Sequence, residues 1–223
     1  MLWMGTSPNQ PEIAAMLDRH EIGLMCQPAS NPPRAGWLWA ADNGCFSLNF
    51  QEKKWQAWLE KPHPRSGCLM ATVPDVVGDH SSTMIRFRRW HGYVRALRYP
   101  VAFVAQDGAD VKNIPWSDMD VLFIGGTTSF KQGFNSGLIA REGRERGKWV
   151  HVGRVNSLKR LMHWAEIADS ADGTFLAFGP QTNAPRVKSW VESLRLGTQL
   201  QMMGENNGRS NRSITAKGRD GQR

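Results

Sequence analysis

The sequence predicts an α/β fold, a compact TIM-like (β/α)8 barrel, on three observations. Short apolar runs that end abruptly in polar or glycine residues recur about eight times along the chain. The stretches between them carry helical spacing or turn chemistry. Strands that alternate with helices in this way favour a parallel sheet, and eight such units close a barrel. A doubly wound open sheet is the alternative. Its dinucleotide and P-loop forms lose their main support, because no G-x-G-x-x-G follows the first strand and no Walker A sequence occurs. At 223 residues the chain is at the small end for a barrel, so several connections must be trimmed.

The first run, Leu2 to Gly5, is followed by a helix over Pro11 to Arg19, with proline placed in its first turn. Runs Ile22 to Cys26 and Trp37 to Ala41 follow, then a helix over Gln51 to Glu60 whose Trp55 and Trp58, three apart, pack on the barrel. Cys68 to Val73 reads as the fourth strand, Ser82 to Leu97 as a helix, and Val101 to Ala105 and Val121 to Ile124 as strands five and six. A helix over Phe134 to Arg146, a strand over Trp149 to Val152, a helix over Ser157 to Ala165 and a weaker strand around Ile167 to Ala171 complete the eight units. A last helix spans Val187 to Leu196, so residues 1–200 form one catalytic barrel and residues 201–223 a separate tail. From Gly204 to Arg223 the chain has almost no large apolar residue and reads as disordered on its own. Arg209, Arg212, Lys217, Arg219 and Arg223 against Glu205 and Asp220 give it 5 − 2 = +3, a charge that suits phosphates or simple solubility.

The whole chain has 28 Lys+Arg against 20 Asp+Glu, a net charge of +8, which argues against an acidic mimic and is compatible with a polyanionic partner. Three cysteines without close pairing, Cys26, Cys45 and Cys68, build neither a disulfide framework nor a C-x-x-C zinc knuckle, which fits a reducing compartment. No apolar run approaches the roughly 18–20 residues of a membrane span. No basic-then-apolar signal opens the chain, so a cytoplasmic protein without membrane partners is expected.

In a parallel barrel, ligands bind at the carboxyl ends of the strands, so the residues ending each run are the informative ones. They are acidic and amide-rich: Asp42, then Asp75 and Asp79, then Gln106 and Asp107, then Gly125 and Gly126, then Gly153 and Arg154, then Asp169 and Asp172. Any one of these aspartates alone reads first as a cap or turn residue; together they are harder to explain that way. Carboxylates gathered at one mouth suit a hard metal, glycosidic cleavage or general acid/base work. Splitting an N-glycosidic bond needs a carboxylate at the anomeric carbon, a second group for the departing base's proton, and amides and backbone to read a flat heterocycle. Asp42, Asp75, Gln106, Gly125, Gly126 and Asp172 supply that set.

At these residues, from about Trp37 to Pro180, the chain resembles the tRNA-guanine transglycosylase superfamily. The resemblance is strongest to its shorter, phage-associated branch, which exchanges guanine in DNA for a 7-deazaguanine. D-N-G-C-F-S, Asp42 to Ser47, resembles the D-S-G-G-F-Q motif whose aspartate is the general acid/base. Pro74-Asp75 stands where the family's base-binding aspartate stands, and F-V-A-Q-D-G, Phe103 to Gly108, resembles the glutamine-glycine segment that contacts the base carbonyl. Gly125-Gly126 resembles the glycine pair lining the pocket, and W-V-H-V-G-R-V-N-S, with Gly153, is similar to the following M-G-V-G strand. D-S-A-D-G, Asp169 to Gly173, resembles D-M-F-D-C, whose second aspartate is the nucleophile, a role that falls on Asp172. The resemblance implies a covalent aspartyl-glycosyl intermediate, a 7-deazaguanine substrate (a nitrile-bearing one as first guess) and no cofactor. The family's tRNA enzymes carry C-x-C-x-x-C and a later His after the nucleophile, whereas no cysteine follows Cys68 here, so no zinc subdomain or structural zinc is expected. That absence, the short length and the basic tail favour DNA over tRNA, in the host cytoplasm if the chain is phage-encoded.

Arg86, Arg88 and Arg89, interleaved with Phe87 and Trp90, are candidate nucleic-acid contacts together with Arg154, although a solvated helix face gives the same pattern. His151 lies near the seventh strand's mouth, where it either touches phosphate or sugar or packs internally, and Cys45 reads as a pocket-wall residue. The rival readings are a non-catalytic nucleic-acid-binding barrel, a metal-dependent hydrolase using Asp42, Asp75 and Asp172, and the same exchange on tRNA. Oligomeric state is not legible.

Overall fold

In the computed structural model, which describes residues 1–6, 8–47 and 50–196, the predicted runs become eight parallel strands. These are β1 (Leu2–Gly5), β2 (Gly23–Cys26), β3 (Trp39–Ala41), β4 (Cys68–Thr72), β5 (Val101–Ala105), β6 (Val121–Ile124), β7 (Trp149–Val152) and β8 (Ser170–Asp172). They pair in chain order and close, β1 meeting β8 with Leu2 opposite Ser170 and Met4 opposite Asp172. Period-two alternation divides each strand between two cores. Met4, Met25, Ala40, Met70, Ala102 and Val121 fill the barrel interior, where unbranched methionines suit an irregular space. Their neighbours Trp3, Leu24, Trp39, Ala71, Phe103, Leu122, Val150 and Ala171 face outward into the larger core shared with the helices.

The helices are α1 (Pro11–Asp18), α2 (Glu52–Leu59), α3 (His80–Ala96), α4 (Thr128–Gln132), α5 (Phe134–Glu145) and α6 (Leu158–Trp164), followed by helix over residues 180–196. The trimming falls on two connections. Residues 27–38 join β2 to β3 without a helix, and β5 reaches β6 through a single 3-10 turn at Val111–Asn113. Trp55 and Trp58 are buried on the inner face of α2, as their spacing predicts.

Three expectations need correction, and one helix, α4, lies outside them. α3 starts two residues before the predicted Ser82, because the Asp79 side chain accepts from the Ser82 N–H at 2.9 Å and caps the helix, so Asp79 is not a mouth carboxylate. α4 escapes periodicity because five residues are too few to display it; Thr127 caps it through the Phe130 N–H, and Gly133 ends it. The eighth strand is Ser170–Asp172, not Ile167 to Ala171, because the Ile167 and Ala168 N–H groups both bond the Trp164 carbonyl and belong to the turn that ends α6. Asp169 therefore precedes β8 at the barrel's opposite end, where its carboxylate accepts from the Val150 N–H at 2.8 Å. The final helix begins at 180 rather than 187, with Pro180 in its first position, and its Trp190 stacks on Phe175 and meets Trp3 edge-on. The basic tail, 201–223, lies outside the described residues.

Candidate active site

The inward alternation, continued to each strand's carboxyl end, places Asp42 after Ala40, Gln106 after Val104, Gly125 after Phe123, Gly153 after His151 and, as the last residue of β8, Asp172 after Ser170 on one ring. They enclose a cavity of about 460 Å³, which Asp75, Gly126 and Arg154 also line. Arg86, Arg88 and Arg89 stay off this lining, as do Asp79, Asp169 and Asp107, the last with its carboxylate accepting from the Thr127 N–H at 2.8 Å and the Thr127 hydroxyl at 2.6 Å. Arg86 is half-buried and donates to the Asp75 backbone carbonyl at 2.5 Å, so it braces the wall. Arg88 and Arg89 are exposed on α3, where Arg89 pairs with Glu52 at 3.2 Å and lies over the Trp90 ring.

Asp75 is clamped. Asn43 Nδ2 donates to its Oδ1 at 2.8 Å and Gln106 Nε2 to its Oδ2 at 2.5 Å. The Gly78 N–H donates to Gln106 Oε1 at 2.9 Å, which fixes the orientation of the amide. Burial pushes the Asp75 carboxyl up, while the two amides and the nearby Arg86 guanidinium pull it back. Asn43, second in the D-N-G segment, also donates to the Val73 carbonyl and accepts from the Cys45 N–H. It is a site residue that sequence reasoning missed, although its place beside Asp42 was the available signal.

Asp42 and Asp172 occupy different settings at the same mouth. Burial raises the Asp42 carboxyl to about 7; the Asp172 and Asp75 carboxylates add to the rise, and the Gly44 and Asn43 backbone groups oppose it. Asp172 receives two donors on a single oxygen: His151 Nε2 at 3.0 Å and the Arg154 N–H at 3.3 Å both meet Oδ1. Behind them runs a chain of hydrogen bonds. The Trp149 indole N–H donates to Ser170 Oγ at 2.8 Å, and Ser170 Oγ lies 2.8 Å from His151 Nδ1. Ser170 is fully buried, and its hydroxyl hydrogen finds its acceptor in Nδ1, which leaves Nε2 carrying the hydrogen that Asp172 accepts. His151 is thus buried beneath Asp172 and not placed to touch phosphate directly.

Arg154 takes a left-handed backbone, φ 60°, and its guanidinium bonds the Gly126 carbonyl and lies 4.3 Å from the exposed Phe46 ring. The buried Lys131 on α4 donates to the Gly153 carbonyl at 2.8 Å and pins the end of β7; burial and the neighbouring Arg154 lower its ammonium to about 8. Lys131 was hidden from sequence reasoning together with its helix. A Cβ at Gly125 would lie 2.5 Å from Val104 Cγ1 and 3.0 Å from Gln106 Nε2. Gly126, φ 73°, would press on Phe130. Gly125 therefore keeps the wall beside Val104 and Gln106 open to a flat ligand, whereas Gly126 is required by its positive φ and its close packing on Phe130 and Asp107. Thr72 Oγ1 and Asn156 Oδ1, buried in residues of the same lining, have no hydrogen-bond partner among the described residues and offer unused polar capacity. Among the described residues, no group of three or more His, Cys, Asp or Glu side chains is arranged to hold a metal ion.

No family model matches the chain, and no curated protein matches it in sequence. The fold is similar to that of tryptophan synthase from M. tuberculosis. A ligand-free form of that enzyme, carrying a substitution in TrpA, is 13% identical, with a TM-score of 0.52 over 86% of this chain and 91% of that one. The open form with BRD0059 bound is also 13% identical, at 0.49 over 86% and 90%. At that identity the likeness is one of fold. The chain is a (β/α)8 barrel with its candidate site at the carboxyl ends of the strands. No helix among the described residues is long and apolar enough to cross a membrane.

Proposed function

We propose that this barrel is a transglycosylase that exchanges guanine in DNA for a 7-deazaguanine through a covalent aspartyl-glycosyl intermediate. The observation that carries the reading is the division of labour between two carboxyls at one mouth. Asp42 holds a proton near neutral pH, whereas Asp172 has Oδ1 tied to two N–H donors and Oδ2 without a hydrogen-bond partner among the described residues. Oδ2 attacks the anomeric carbon as the bond to guanine N9 breaks, and the Asp42 proton passes to the departing base, which leaves neutral. The incoming 7-deazaguanine then gives its N9 proton to Asp42 and attacks the same carbon, expelling Asp172. No proton is gained or lost over the cycle.

Two supports come from the walls. Asp75, held by Asn43 and Gln106, retains lone pairs for the purine's N–H edge, and Gln106 retains one amide hydrogen for its carbonyl. The cavity, about 460 Å³, accommodates one base and its sugar but not a stacked duplex, so the target nucleotide enters flipped out or single-stranded.

The test is mass spectrometry of nucleosides digested from DNA and from tRNA after incubation with the protein and candidate 7-deazaguanines. New deazaguanosine is expected in DNA, and its loss in both Asp42→Ala and Asp172→Ala. Incorporation into tRNA alone would move the substrate to RNA. A folded protein that modifies neither polymer would overturn the reading.

A further inference from the structure

Beside the base cavity lies a second one, of about 690 Å³, and the two share Gln27, Asn43, Gly44 and Ser47 in their linings. The second runs from this shared threshold along α2 to Lys61. Its charge is opposite in kind. The base cavity carries three aspartates and one arginine, whereas the second has Lys54 and Lys61 and no carboxylate in its lining.

The sequence of α2 explains the sorting. Lys54, Trp58 and Lys61 recur at helical spacing, which sets them on one side, with the two lysines exposed. The acidic residues of the same segment turn toward α3, where Glu52 pairs with Arg89 and Glu60 accepts from the Tyr93 hydroxyl at 2.9 Å. The cavity is thereby left cationic beside an acidic one. Its remaining walls carry the amides of Gln27 and Gln51 and the partly exposed ring of Phe50. Cations for phosphate, a ring for a base face and amides for sugar or base edges are what a single strand demands of a sequence-tolerant groove.

We infer that this second cavity holds the nucleotide adjoining the exchanged one, so that a single DNA strand runs from the base cavity across Gly44 and along α2, its phosphates meeting Lys54 and Lys61. The inference rests on the base-exchange reading for the identity of the strand, but its geometry concerns binding and is testable without chemistry. Gly44 suits the crossing: its φ is 74°, and a Cβ there would approach only Gln27 Oε1, at 3.8 Å, so the strand passes over bare backbone.

The experiment uses the full chain and a fluorescein-labelled single-stranded DNA 12-mer containing one guanine, with anisotropy read from 50 to 300 mM NaCl. The double variant Lys54→Gln/Lys61→Gln is compared with the unsubstituted protein and with Lys53→Gln, a neighbouring exposed lysine outside the cavity. Each single-strand phosphate contact contributes about 0.7 to the slope of log K on log salt, so the double variant should lose about 1.4 of slope. It should also bind on the order of tenfold more weakly at 100 mM salt, while Lys53→Gln stays near the parent. An unchanged slope and affinity in the double variant would overturn the proposal, as would equal losses in Lys53→Gln or binding confined to an RNA 12-mer of the same sequence. Exchange assayed in parallel separates the two readings. Lysine-dependent DNA binding without any exchange keeps the groove and sinks the transglycosylase, whereas exchange with lysine-independent binding does the reverse.

Discussion

Asp42 links proton affinity to chemistry. Its carboxyl sits at about 7 in the fold against an ordinary 3.8, so the folded protein holds an extra proton between those values. Stability is therefore fully present below about pH 4 and falls as pH rises toward 7. Asp42→Asn should remove the dependence, leaving the variant roughly 2–4 kcal/mol more stable than the parent at pH 8 and little different at pH 4, as read by urea unfolding at both pH values. The two half-reactions of the proposed exchange split around the same value. In single-turnover assays, guanine release, which needs the protonated acid, should decline above about pH 7, whereas attack by the incoming base should decline below it. His151 makes a separate prediction. In the proposed exchange, its Nε2–H and the Arg154 N–H would stabilise the carboxylate that Asp172 becomes again as the glycosyl ester breaks down. His151→Phe should slow that second step by on the order of ten- to a hundredfold, so that covalent adduct accumulates on denaturing gels while its formation is less affected. Equal slowing of both steps would reduce His151 to packing.

At the level of elements, the glycines at the strand ends tune the cavity. Gly125→Ala should raise the KM for the incoming base and cost about 1–3 kcal/mol of stability, because the new methyl would lie 2.5 Å from a methyl of buried Val104 and 3.0 Å from the Gln106 amide nitrogen, and both must shift. Steady-state kinetics with a varied base checks it. Most strands were legible because their apolar runs stop where the barrel mouth begins: β1, β5, β6 and β7 have the bounds their hydrophobicity suggests. β8 was not, since Ser170 and Asp172 put polar atoms on its inward face and the adjacent Ile167 belongs to the end of α6. The ring of Asp42, Asp75, Gln106 and Asp172 could be read from strand-end chemistry. The chain from Trp149 through Ser170 and His151 could not, because Ser170 and His151 are 19 residues apart and meet only through the β7–β8 pairing. The arginines of α3 misled because one composition serves a brace such as Arg86 and solvated residues such as Arg88 equally well.

For the molecule as a whole, integrity depends on the seam between β1 and β8. Trp3 is fully buried there, its indole N–H donates to the Val155 carbonyl at 3.2 Å, and its ring meets Trp190 of the final helix. Trp3→Ala should cost roughly 3–5 kcal/mol in chemical denaturation, more than any substitution at the mouth. The seam has a consequence in time. The proposed nucleophile lies on the last strand to be made, and that strand is bordered by the first: Met4 faces Asp172 across the junction, and the Gly173 N–H bonds the Met4 carbonyl. A chain that has yet to complete β8 holds Asp42, Asp75 and Gln106 but lacks Asp172, the nucleophile of the proposed exchange. On the proposed exchange, the site is therefore complete only once the two ends of the barrel meet.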